Sequence, residues 1–239
     1  MDYTLSEKIT LNSLLTLFTL MNKLGIDFFL DSGTLLKFVR NDRKLTIGSD
    51  IDIGIFEKDK KKIFNLKVLL EKRGFKISLQ NNFSVFYDYI RINFPKNFKG
   101  KSKHVDIYIY RNIKKFYILK RPHKFSKNSL ISKLSVYGIN FLNQKKYKKF
   151  IFINFLFHCL FFIYNNFGKS EQFRFPEDLL KSQLRIIYYI NNQKVIFNIP
   201  KNYCRYLSYR YTSNWRFPDK NWKKRTNKFV VNDNLKIND

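Results

Sequence analysis

The chain has 239 residues, 44% of them hydrophobic, which is enough for one folded domain with appendages or for two small domains. Its formal net charge is +28, which favours anionic partners, while an AT-rich genome, which enriches Lys, Asn, Ile and Phe together, explains the excess of lysine at least as well. The lysines are spread along the chain rather than clustered, which argues against a dedicated nucleic-acid surface, and nucleic acid is not expected as a partner. Two cysteines without a CxxC pattern argue against a disulfide scaffold and against a zinc site.

The chain shows no pattern typical of a secreted or membrane-spanning protein. Polar residues interrupt the first apolar stretch, so no signal peptide is predicted. The strongest apolar segment, residues 150–164, is shorter than the roughly 20 residues that a spanning helix requires. A buried helix is expected there, with peripheral contact between this segment and an anionic membrane as the alternative. The predicted location is the cytoplasm, with the inner face of the membrane as the alternative.

Hydrophobic spacing and chain-breaking residues divide the first half of the sequence into helices and strands. In chain order they are a helix at 5–24, a strand at 26–30, a turn at 31–33, a helix at 34–40, a strand at 50–56 and a helix at 58–73. Strands are then predicted at 75–79, 83–87, 89–93 and 104–110. This order predicts the α/β (α+β) class, with a mixed sheet and helices packed on one of its faces.

The second half of the sequence is predicted to be mainly helical. The predicted elements are helices at 150–164, 176–190 and 200–211, with one strand at 194–199. A C-terminal helical part is therefore expected to follow the sheet.

Aspartates fall on the polar faces of two predicted strands. Because side chains alternate along a strand, Asp50 and Asp52 point to one side and the intervening isoleucines to the other. Asp106 lies in the same way on the strand at 104–110, together with His104, which is either a substrate contact or an incidental surface residue. Carboxylate oxygens are the ligands that Mg²⁺ and Mn²⁺ prefer. We therefore predict a metal site at the three aspartates, with a solvated edge strand as the alternative.

The turn at 31–33 has the composition of a phosphate-binding turn. Gly33 allows the backbone to approach a phosphate closely, and the start of the following helix presents unpaired N–H groups. Ser32 and Thr34 add hydroxyl groups, and Arg40 at the end of the helix suits a phosphate or a carboxylate. An ordinary capped turn is the alternative.

Three segments, LDSGTLLKFVR, SDIDIGI and HVDIYIY, resemble the LicD/fukutin family of the nucleotidyltransferase-fold superfamily. The C-terminal stretch IPKNYCRYLSYRYTSNWRFPDKNW resembles that family's closing pattern. The resemblance extends from about residue 26 to residue 222, with a poorly matched middle at 112–170. Lys37 and Thr212 stand where the family carries glycine, and residues 47–49 lack one of the family's acids.

The resemblance implies a catalytic core at 1–111, a region at 112–222 that completes the active site, and a polar, flexible tail at 223–239. It implies an enzyme that moves phosphocholine or ribitol phosphate from a CDP-activated donor to a sugar hydroxyl of a glycan or glycolipid, as in lipopolysaccharide or teichoic acid. Residue roles follow by the same likeness: Asp50, Asp52 and Asp106 bind Mg²⁺ or Mn²⁺, Ser32, Gly33 and Thr34 bind donor phosphate, Asp31 orients a substrate or acts as a base, and Trp215 shapes the pocket.

Other functions remain open at the level of sequence. The same fold transfers nucleoside monophosphate to RNA or protein in toxin-type enzymes, and the positive charge would suit RNA. A glycosyltransferase with a DxD metal site is a further enzyme alternative. A non-catalytic basic protein that binds nucleic acid or a membrane surface is the alternative outside enzymes.

Overall fold

The computed structural model describes residues 3–78, 89–95, 97–121 and 171–218. The helices are α1 (Leu5–Lys23), α2 (Ser32–Arg40), α3 (Lys62–Glu71), α4 (Glu177–Leu180) and α5 (Tyr203–Tyr211). The strands are β1 (Phe28–Leu30), β2 (Ile51–Phe56), β3 (Lys76–Ser78), β4 (Tyr89–Asn93), β5 (His104–Ile113), β6 (Phe116–Arg121), β7 (Glu171–Pro176), β8 (Gln183–Ile190) and β9 (Gln193–Pro200).

Seven strands form a mixed sheet in the order β3-β4-β5-β2-β1-β9-β8. At its centre β2 runs parallel to β5, while β1 is antiparallel to β2 and parallel to β9. The far end of β5 pairs with β6, which in turn pairs with β7. The predicted α+β class with a mixed sheet is confirmed.

The main core lies between one face of this sheet and the helices α1 and α3. Phe18 of α1 packs against Phe28 of β1, with ring centroids 4.8 Å apart, and also contacts Phe197 of β9. The isoleucines of β2 and the alternate residues Val105 and Ile107 of β5 are buried on this face. Strand alternation then places the aspartates of β2 and β5 on the opposite face.

The prediction of a helix at 176–190 is wrong. Only Glu177–Leu180 is helical, and Gln183–Ile190 forms β8, which pairs with β9 along its whole length. Asn191 and Asn192, both with positive φ, form the two-residue connection that suits the twist of a hairpin. A continuous apolar run does not by itself distinguish a strand from a buried helix, and the asparagine pair was the missed signal.

Residues 171–218, the described part of the C-terminal region, are therefore not a helical appendage. The strand predicted at 194–199 is confirmed as β9, and the last predicted helix as α5. Because β9 lies beside β1, this region completes the sheet, while the domain division at residue 111 stays a prediction. The helix predicted at 150–164, the strand at 83–87 and the tail at 223–239 lie outside the described residues. Among the residues that are described, no helix has the length and apolar character needed to cross a membrane.

Candidate active site

Asp52 and Asp106 lie side by side at the centre of the sheet. The parallel register of β2 and β5 pairs the two residues directly, so their side chains point to the same face. Asp50 immediately precedes β2, and its side chain is 56% exposed, whereas that of Asp106 is 8% exposed. The three aspartates singled out in the sequence therefore share one face of the sheet.

Arg91 of β4 is paired with Asp106. The two residues are cross-strand neighbours in the antiparallel ladder of β4 and β5. Arg91 donates from Nε to Oδ1 at 2.9 Å and from Nη2 to Oδ2 at 3.0 Å, which is a bidentate ion pair. A carboxylate with so little exposure needs such a partner. Arg91 was not among the residues predicted from the sequence, although the alternation at 89–93 places it on the polar face of its strand.

Asp52 connects the sheet to the glycine turn. Its Oδ2 accepts a hydrogen bond from the backbone N–H of Gly33 at 3.2 Å, and its Oδ1 accepts one from the Tyr108 hydroxyl at 3.1 Å. A Cβ atom on residue 33 would stand 3.3 Å from Asp52 Oδ2, so the close approach favours glycine. The Thr34 hydroxyl accepts the backbone N–H of Asp52 at 2.8 Å. Thr34, expected to contact substrate, here fixes the position of the turn.

His104 lies between the two outer carboxylates. Its Nε2 is 3.2 Å from Asp50 Oδ1 and 3.8 Å from Asp106 Oδ2. These distances suit ion pairs, but no described residue makes a geometrically acceptable hydrogen bond to this nitrogen. The predicted placement of His104 beside the acids is thus seen in the structure, while its role stays a prediction.

The three aspartates fit a hard divalent cation by donor type and by strand register, but their side chains are not gathered around one point. Within the described ranges, no three His, Cys, Asp or Glu side chains converge closely enough to hold an ion together. Both oxygens of Asp106 face Arg91, and both oxygens of Asp52 accept hydrogen bonds from Tyr108 and Gly33. A carboxylate oxygen that accepts one hydrogen bond keeps a second lone pair, but a cation at Asp106 would lie close to the positive charge of Arg91.

Asp31 is completely buried below the turn. It caps α2 by accepting the backbone N–H of Ser32, and its carboxylate also accepts hydrogen bonds from the hydroxyls of Tyr110 and Tyr206. Burial, followed by the charge of Asp31, raises the pKa of Tyr110, and burial also raises that of Tyr206, so both remain neutral donors. Asp31 was expected to orient substrate or act as a base. Its position instead fits a residue that positions the turn.

Ser32 differs from its neighbours in the turn. Its backbone has a φ of +46° and its side chain points into the interior, with the residue 6% exposed. No described group forms a hydrogen bond with its hydroxyl. This hydroxyl, at the start of a nine-residue helix, has no partner among the described residues, and an anionic acceptor would reach it only when the groups that cover it move aside.

Arg40 joins α2 to the C-terminal motif. Its guanidinium donates to the backbone carbonyl of Trp215 and, at 2.8 Å, to that of Phe217. Burial lowers the pKa of Arg40, in keeping with a side chain that lies against protein. Arg40 was predicted to contact phosphate, but this placement fits a structural link. Trp215 is buried at 4% exposure, and its part in shaping the pocket stays a prediction.

A cavity of about 700 Å³ opens at the other end of β2 and β5 from the aspartates. Six of its eight lining residues are basic or aromatic, and the other two are an acid and an amide: Phe56, Glu57, Lys58, Lys61, Tyr110, Asn112, Tyr117 and Lys181. None of the three aspartates lines it, but Tyr110 does, and this residue also donates a hydrogen bond to Asp31 of the turn.

The sequence model of the LicD/FKTN/FKRP nucleotidyltransferase domain matches residues 25–133. The matched range contains the turn at 31–33, α2 and the strands that carry the three aspartates. No curated protein matches the chain.

Proposed function

We propose that the chain, whose residues 25–133 match the nucleotidyltransferase domain of the LicD/fukutin family, transfers a phospho-alcohol group from a CDP-activated donor to a sugar hydroxyl. Members of this family transfer phosphorus-containing groups to glycans, and they are often metal-dependent. The proposed donor carries phosphocholine or ribitol phosphate, and the proposed acceptor is a surface glycan or its glycolipid precursor. The proposed cofactor is Mg²⁺ or Mn²⁺.

The connection between Asp52 and the glycine turn carries the proposal. The 3.2 Å hydrogen bond from Gly33 to Asp52 brings the N-terminus of α2 against the sheet face that holds the acids. The buried Ser32 hydroxyl, which lacks a partner among the described residues, lies in the same turn. This place therefore offers the Ser32 hydroxyl as a donor for a phosphate, beside carboxylates for a cation, while the N–H groups of residues 32–35 are already bonded to Asp31 and Asp52.

In the proposed reaction, the acceptor hydroxyl oxygen attacks the phosphorus that bears the alcohol. A new P–O bond to the sugar forms, the bond between that phosphorus and the bridging oxygen breaks, and CMP leaves with the bridging oxygen. The hydroxyl proton passes to solvent or to the departing phosphate. A divalent cation held by Asp50, Asp52 and Asp106 would supply charge neutralisation for the diphosphate. The turn would orient the donor, so that positioning contributes most of what the chain itself adds.

The location of this reaction is also a proposal. The net charge of +28 supports work at an anionic membrane face, where glycolipid acceptors are assembled. The cytoplasm supplies nucleotide-activated donors, and the inner face of the membrane would bring donor and acceptor together.

The proposed activity is tested by turnover of a panel of CDP-alcohols. The full chain is incubated with CDP-choline, CDP-ribitol or CDP-glycerol, with Mg²⁺ or Mn²⁺ and a mixture of sugar acceptors, and CMP release is followed. We expect CMP release with at least one donor, and its loss when EDTA is added. No release from any donor, together with AMP transfer from ATP to RNA or protein, would replace the proposal with the toxin-type activity.

Ser32→Ala is expected to weaken CDP binding about tenfold, because the removed hydroxyl would otherwise donate to a phosphate oxygen. Its unfolding free energy should stay close to that of the wild type, since the hydroxyl has no partner among the described residues. Calorimetric titration with CDP and urea denaturation measure the two quantities.

Thr34→Val is the matched control for that variant. Its hydroxyl accepts a backbone hydrogen bond from Asp52, so the unfolding free energy should fall by about 1 kcal/mol. If Ser32→Ala lost stability but kept its CDP affinity, Ser32 would be a structural residue and not a ligand contact.

A further inference from the structure

The ion pair between Arg91 and Asp106 has a consequence for the cation that the acids would bind. The side chain of Arg91 is 37% exposed, and that of Asp106 is 8% exposed. The pair is fixed by the sheet, because the two residues face each other across β4 and β5. The carboxylate therefore has a cationic partner supplied by the protein itself.

A divalent cation and a guanidinium would seek the same two oxygens. Asp106 is the register partner of Asp52, so a cation between these residues approaches the oxygens that Arg91 binds. It would also approach the positive charge of the guanidinium at short range, which is unfavourable. Each oxygen keeps a second lone pair, but the nearby guanidinium charge disfavours a cation there, so the cation and Arg91 compete for Asp106.

We propose that Arg91 is an internal counter-ion of the site that competes with the divalent cation for Asp106 and so weakens cation binding. This inference rests on the proposed function, because it assumes that the aspartates bind the cation. Arg91 neutralises the buried carboxylate while the cation is absent, and it leaves Asp106 when the cation binds. Arg91 is thus a positioning residue, which sets the cation concentration that the site requires.

The test measures Mn²⁺ affinity by calorimetric titration of the full chain, without donor or acceptor. Arg91→Met should bind Mn²⁺ about tenfold more tightly than the wild type, as expected for loss of a competing, partly exposed ion pair. Arg91→Lys keeps the charge but loses the bidentate geometry, so its affinity should lie between the two. This second variant decides the question if Arg91→Met does not fold.

Arg205→Met is the matched control, because it removes the same charge from the exposed ion pair with Asp178. Its Mn²⁺ affinity should equal that of the wild type. The inference is overturned if the wild type binds Mn²⁺ and neither Arg91→Met nor Arg91→Lys binds it more tightly. That result would leave the proposed cation site intact. If neither the wild type nor either Arg91 variant binds Mn²⁺, both the inference and the cation site fall.

Discussion

Asp52→Asn is expected to slow CMP release on the order of a thousandfold, as follows from losing about 4 kcal/mol of charge stabilisation in the transition state. Asp52 is the acid that touches both the turn, through Gly33, and the strand that carries Asp106. The amide keeps the size of the carboxylate and one acceptor oxygen, so the fold should persist. The measurement is CMP release with the best donor of the CDP-alcohol panel, beside a thermal melt of each protein.

Asp27→Asn is the control for that loss of activity. Asp27 is exposed and forms an ion pair with Lys58 at 2.9 Å, and it precedes β1, whose opposite end leads into the turn at 31–33. Its removal changes the net charge by the same amount and should leave CMP release within about twofold of the wild type, because exposed ion pairs contribute little. Equal activity of Asp52→Asn and Asp27→Asn would remove Asp52 from the proposed chemistry.

The placement of the aspartates was predictable because it depends only on local geometry. Once a strand is recognised, alternation decides which side chains share a face, and this holds for Asp50, Asp52 and Asp106 without knowledge of the fold. The hairpin of β8 and β9 could have been predicted as well. Its Asn191–Asn192 connection is a local signal, but the apolar run before it was interpreted as a helix.

The partners of the acids were not predictable in the same way. The pair between Arg91 and Asp106 depends on the register of β4 against β5, which no local pattern in the sequence specifies. The burial of Asp31 depends on Tyr206, which is 175 positions away along the chain. Motifs therefore identified the acids, whereas long-range packing decided which of them face a ligand and which face the protein.

That distinction predicts a different outcome at Asp31. Asp31→Asn should lower the free energy of unfolding by about 3 kcal/mol, because neutralising one member of a buried charged cluster leaves the other members poorly compensated. The amide can still cap α2, so the loss reports the charge that faces Tyr110, Tyr206 and the nearby Arg210. Urea denaturation followed by circular dichroism measures the change.

Asp178→Asn provides the comparison. Asp178 forms an exposed ion pair with Arg205, and Arg205 lies in α5, the helix that also carries Tyr206. The Asp178→Asn variant should lose less than about 1 kcal/mol of unfolding free energy.

At a temperature where both variants are folded, Asp31→Asn should retain measurable CMP release, since a residue that positions the turn affects the reaction through geometry alone. The contrary result is wild-type stability of Asp31→Asn together with a loss of CMP release as complete as that of Asp52→Asn. That result would mean that the Asp31 carboxylate contacts the substrate in the working enzyme and is not buried against Tyr110 and Tyr206 there.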